Sequence, residues 1–81
     1  MVKILYFAQL ADALGTDQEQ LDLPEQIATL RHLMAWLRQR GDPWKTAFYE
    51  PNLQIMVNRN IVKADAPVRD GDEVAFVAAR R

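Results

Sequence analysis

Val68-Arg69-Asp70-Gly71-Asp72-Glu73-Val74-Ala75-Phe76-Val77-Ala78-Ala79-Arg80-Arg81 joins a turn, a strand and a tail, and the topology follows from where that strand must pair. Asp70-Gly71 reads as a tight turn, because glycine adopts positive φ without a Cβ clash and aspartate tolerates turn geometry. Glu73 to Val77 reads as a strand whose residues alternate, with Val74 and Phe76 on one side and Ala75 and Val77 on the other. The residues after Val77 carry no turn signal, cap or hydrophobic period. Residues 1–77 are therefore expected to form one domain and residues 78–81 a projecting C-terminal tail. A strand that runs into such a tail points to a terminus presented to a partner.

A second strand that can pair with this one lies at the other end of the chain. Val2 to Phe7 is β-branched and aromatic-rich, with Lys3 marking an outer face shared by Leu5 and Phe7, while Val2, Ile4 and Tyr6 point inward. Ala8 to Leu14 suits a short helical turn ended by Gly15. Gln18 to Leu23 alternates weakly and reads as an edge strand closed by Pro24, which offers no ladder donor. Ile27 to Gln39 is the long helix, with Leu30, Leu33, Met34 and Leu37 at i, i+3, i+4 and i+7. Glu25 and Gln26 are poor caps for it, whereas Gly41 and Asp42-Pro43 mark its end. Trp44 to Tyr49 suits a second short helix broken by Pro51-Asn52. Leu53 to Val57 is a third strand, Asn58-Arg59-Asn60 a turn, and Ile61-Val62 a short return strand. The outline is ββαβββ, an α+β fold. The first and last strands would lie parallel at the centre of a mixed sheet of about five strands, with one main helix across one face.

Composition bounds the function. With 81 residues, 49% of them hydrophobic, the chain supports one core. It has no cysteine, which removes disulfides, thiolate nucleophiles and Cys-ligated metals. A formal charge of −1 gives no electrostatic case for nucleic acid. No apolar run approaches a membrane span of about 20 residues, and Met1-Val2-Lys3-Ile4 enters a strand pattern at once, so a cytoplasmic protein without membrane contact is expected.

One helix covers one sheet face, and the other must meet water or a partner. Leu5, Phe7, Met56, Ala75 and Val77 fall together on that outer face, an apolar patch suited to docking. The competing reading is that residues 8–14 or 44–49 fold over it. Ala78, Ala79, Arg80 and Arg81 would join the partner contact as the tail. His32 is the only histidine, off the apolar stripe and without an acid or nucleophile spaced to assist it. Trp36 and Trp44 suit the rim of the core. Asp70, Asp72 and Glu73 are too close along a turn to build an oxygen cage, so no metal site is expected.

A strand-tail terminus on this topology is the β-grasp, or ubiquitin-like, fold. Met1-Val2-Lys3-Ile4-Leu5-Tyr6-Phe7-Ala8, Ala11-Asp12-Ala13-Leu14-Gly15, Leu30-Arg31 and Leu37 on the helix, Val57-Asn58-Arg59-Asn60 and Asp70-Gly71-Asp72-Glu73-Val74-Ala75-Phe76 resemble the MoaD/ThiS sulfur carriers, and most of all their molybdopterin synthase small-subunit branch. The resemblance implies a carrier in molybdenum-cofactor biosynthesis with no bound cofactor and no active site of its own. A ubiquitin-activating-like adenylyltransferase would use ATP to adenylate its C-terminal carboxylate, sulfur would replace the adenylate, and the tail would enter the large synthase subunit within a heterotetramer. It also implies a Gly-Gly end, since a threaded tail attacked at its carbonyl tolerates no bulky neighbour. Glycine stands only at 15, 41 and 71, and the tail reads Ala78-Ala79-Arg80-Arg81, about two residues shorter than the family pattern. No catalytic residue is expected, and Arg81 is not expected to accept adenylate or sulfur. Two other readings share the fold: a thiamine-pathway type of sulfur carrier, which needs the same glycines, and a non-carrier interaction module that docks by the same face.

Overall fold

A computed structural model describes residues 1–48 and 53–78, the last of these by its backbone alone. The strands are β1 (Val2–Phe7), β2 (Gln18–Leu21), β3 (Leu53–Val57), β4 (Asn60–Val62) and β5 (Glu73–Ala78), and the helices are α1 (Gln9–Leu14), α2 (Leu30–Arg38) and α3 (Trp44–Ala47). They form one mixed sheet in the order β2-β1-β5-β3-β4. β1 and β5 pair in parallel at its centre, with Leu5 opposite Ala75 and Phe7 opposite Val77. β2 and β4 are the antiparallel edges. The expected α+β architecture, a five-stranded mixed sheet with one main helix, is the one observed.

Several boundaries differ from the sequence expectation. β5 runs on to Ala78, which pairs with Leu53, so the domain extends one residue past 77 and Ala78 belongs to the sheet rather than to a tail. Ala79, Arg80 and Arg81 lie outside the described residues, as do Tyr49 and the Pro51-Asn52 break. β2 stops at Leu21, two residues early. α2 starts at Leu30 rather than Ile27, because distant backbone claims the intervening residues. The Ala28 carbonyl accepts from Val68 N–H at 3.0 Å, and Thr29 forms an antiparallel bridge with Pro67.

The core lies between the inner sheet face and the helices. Leu30, Leu33 and Leu37 of α2 are fully buried against Val2, Ile4, Tyr6, Val74 and Phe76. Each such side chain contributes roughly 1.5–3 kcal/mol relative to exposure. The short helices also go to this face. Leu10 of α1 is in the core, Trp44 meets Tyr6 edge-on at 5.4 Å between ring centroids, and Phe48 meets Phe76 edge-on at 5.0 Å. Trp36 and Trp44 sit half-buried at its rim.

Candidate docking face of the sheet

Because α1, α2 and α3 all pack on the inner face, none of them covers the outer one, and the reading in which these segments fold over it fails for residues 8–14 and 44–48; Tyr49 lies outside the described residues. The registers lay the outer face out in transverse rows. One row crosses all five strands as Gln18, Leu5, Ala75, Met56 and Ile61. The next is Phe7, Val77 and Gln54, beside the end of β5. At the opposite end stand Lys3 and Glu73, also in register. Strands about 4.8 Å apart make the long row roughly 19 Å across.

The expected face residues meet here, with different exposure. Phe7 stands out at 42% exposed, while Leu5, Met56 and Val77 are half-buried. Ala75 is 7% exposed, which corrects its reading as an open contact. Its short side chain is the floor between Leu5 and Met56. A shallow groove of about 260 Å³ follows this floor, walled by Leu5, Phe7 and Met56 and bounded by Arg59 and Glu73. Ile61 extends the row outward at 73% exposed, the most exposed large apolar side chain described. The sequence reading missed it, because a three-residue strand shows too little alternation to assign a face. Its register opposite Met56 is the signal.

Both turns at the groove's charged end are tied together by hydrogen bonds. Asn58 accepts from Glu73 N–H through Oδ1 at 3.1 Å and donates to Asp72 Oδ1 at 3.1 Å. Asp72 Oδ2 accepts from Arg69 N–H at 2.8 Å, and Gly71 takes φ of 90°, so Asp70-Gly71 is the turn expected. Of the acidic side chains there, Asp72 thus braces the turn and Asp70 meets the N-terminal ammonium. Among the described residues no group of three or more His, Asp or Glu side chains stands close enough to hold a metal ion. His32 is exposed on α2 and its N–H is held by the Thr29 hydroxyl. Among the described residues no helix is long and apolar enough to cross a membrane. The arrangement offers an apolar, preformed surface beside the strand that leads to the C-terminal residues.

Comparison with known proteins agrees with the fold. The Escherichia coli (strain K12) molybdopterin synthase sulfur carrier subunit is 38% identical over 78 residues, a match that spans 94% of this chain and 91% of that one. A solved Pyrococcus furiosus protein, provisionally assigned as molybdopterin converting factor subunit 1, superposes with a TM-score of 0.78 at 30% identity, over 95% of this chain and 94% of that one. A chain from the Helicobacter pylori complex of subunits 1 and 2 of molybdopterin-converting factor superposes with a TM-score of 0.66 at 17% identity, over 99% and 95%, a likeness of fold. The ThiS family model matches residues 4–80. The chain belongs to the ThiS family.

Proposed function

We propose that this chain is the sulfur-carrier subunit of a molybdopterin synthase and docks on the large subunit through the outer sheet face. The observation that carries the reading is the uncovered apolar row from Leu5 to Ile61, continued by Phe7 and Val77 along the end of β5. The identity with the Escherichia coli sulfur carrier subunit supports the pathway. In this reading the chain supplies no catalytic side chain and holds no cofactor. Where the native terminus is competent, an adenylyltransferase activates its carboxylate with ATP, and sulfur displaces AMP to leave a thiocarboxylate. The docked carrier then delivers that sulfur to a pterin precursor in the large subunit, within a cytoplasmic heterotetramer. Ala79, Arg80 and Arg81 would lie in the large subunit as the tail that follows the last sheet residue, Ala78.

Two measurements test it. Phe7→Arg is expected to weaken binding to the large subunit by about a hundredfold or more, as burying a charge in an interface core does. Its circular dichroism and melting midpoint should stay close to wild type, because Phe7 lies outside the core. Unchanged affinity would sink the docking face. Incubation of the full-length protein with adenylyltransferase, ATP and a sulfur donor separates the readings: a gain of about 16 Da, oxygen exchanged for sulfur at an acyl carbon, establishes the carrier. A second reading, a module that binds by this face without carrying sulfur, is favoured by the lack of any glycine after Gly71 in residues 72–81. Retained binding with no mass gain would establish that one instead.

A further inference from the structure

We propose that Arg59 is the polar anchor that sets the partner's register on the outer face, by pairing with a carboxylate that the partner presents at the edge of its apolar patch. This rests on the reading of that face as the docking surface. Four observations lead to it. Arg59 bounds the groove at the end away from Phe7, together with Glu73. Among the described residues its guanidinium has no hydrogen-bond or ion-pair partner, although Arg40 is paired with Glu19. The backbone beneath it is left-handed, with φ of 50° at Asn58 and 73° at Arg59. A two-residue hairpin turn of this kind favours Asn followed by Gly, so a long side chain at the second position is held against the local preference. Finally, the turn is immobilised by the Asn58 bonds to Glu73 and Asp72, including Asn58 N–H to the Glu73 carbonyl at 2.8 Å.

Charge selects the partner's chemistry. Lys3 is the register neighbour of Glu73 on this face, so two cations share this end of the groove with one carboxylate. The two apolar rows beyond carry no ionisable side chain. A partner whose apolar patch is bordered by an Asp or Glu would complement both regions at once, and the guanidinium fork suits a carboxylate better than an ammonium would. Among the described residues, a carboxylate at the other end would meet Phe7, Val77 and Gln54. The pair therefore discriminates one orientation along the groove from its reverse. Charges at an interface rim act mainly on association rate and on its salt dependence.

The test is stopped-flow or surface-plasmon association of the full chain with the molybdopterin synthase large subunit across a salt series. Arg59→Gly removes the charge and suits the positive φ, so a purely structural role predicts a more stable protein with unchanged binding. The proposal predicts a melting midpoint equal to or above wild type, together with association slowed about fivefold to tenfold at low salt and a shallower salt dependence. Arg59→Asn, which also tolerates this φ, should reproduce the slowing, and Arg59→Lys should recover part of it. Wild-type rate and salt dependence in Arg59→Gly, with binding still abolished by Phe7→Arg, would overturn the anchor and leave the docking face standing. No binding by the wild-type chain would remove both.

Discussion

Tyr6 belongs to the buried side of β1, yet its hydroxyl reaches the polar edge of the molecule. It donates to Glu19 Oε2 at 2.7 Å, and Arg40 holds both oxygens of the same carboxylate at 3.0 and 3.3 Å. Arg40 in turn lies over the Trp44 ring, 4.4 Å from its centroid, and Trp44 packs on Tyr6. This closed circuit ties together β1, β2, the segment that follows α2, and α3 through side chains alone. Burial, then the bond to Glu19, push the Tyr6 phenol well above its ordinary value of about 10. A raised folded value means stability that is complete below the unfolded pKa and declines as pH rises toward the folded one. Tyr6→Phe is expected to cost about 1–2 kcal/mol at pH 7 by urea denaturation. Above pH of about 10 the wild type should lose roughly 1.4 kcal/mol per pH unit from this group while the variant does not, so the gap closes and then reverses. A gap that stays constant up to pH 11 would refute the linkage.

The start of α2 shows how an element can be determined from far along the chain. Leu30 N–H donates to the Ala66 carbonyl at 3.0 Å and Arg31 N–H to the Ala64 carbonyl at 2.8 Å, so a loop more than thirty residues downstream satisfies donors that a local cap normally serves. Thr29 Oγ1 takes the His32 N–H at 3.3 Å. Thr29→Ala therefore orphans one exposed donor, and its cost is expected near the low end of the capping range, about 0.5–1 kcal/mol, in chemical denaturation. A loss above about 2 kcal/mol would mean that the bridge to Pro67 depends on the hydroxyl too. The strands were legible because alternation is local: β1 buries Val2, Ile4 and Tyr6 and leaves Lys3 and Phe7 exposed, as its residue types demand. The leucine stripe of α2 was legible for the same reason. Its first turn was not, since the periodic pattern at Ile27 continues while the hydrogen bonds do not. In the candidate site Leu5, Phe7, Met56 and Val77 could be read from parity. Ala75 as a buried floor, Ile61 as the row's outer end and Arg59 at the groove's edge required the registers and turns that place them.

The molecule as a whole is one sheet with two different obligations. Among the described residues its inner face holds every helix and nearly all the buried apolar surface, and its outer face holds an uncovered row on the same strands. Val77 and Phe76 are adjacent in β5, one half-buried outside and the other wholly buried against Tyr6 and Phe48. A domain of 81 residues is expected to have a stability of roughly 4–12 kcal/mol. Phe76→Ala, at about 3–5 kcal/mol, takes a large share of that and should lower the melting midpoint by well over ten degrees. Ile61→Asp lies on a 73% exposed edge position and should change stability by no more than about 0.5 kcal/mol. For binding to the large subunit the order should differ in kind. Ile61→Asp should weaken affinity at any temperature, because it places a carboxylate within the apolar row. Phe76→Ala should bind with near-native affinity once measured far enough below its midpoint for the folded fraction to dominate, because it touches nothing on the outer surface. If Phe76→Ala lost binding while still folded by circular dichroism, the two faces would be coupled through the strand, and the separation argued from β5 parity would fail.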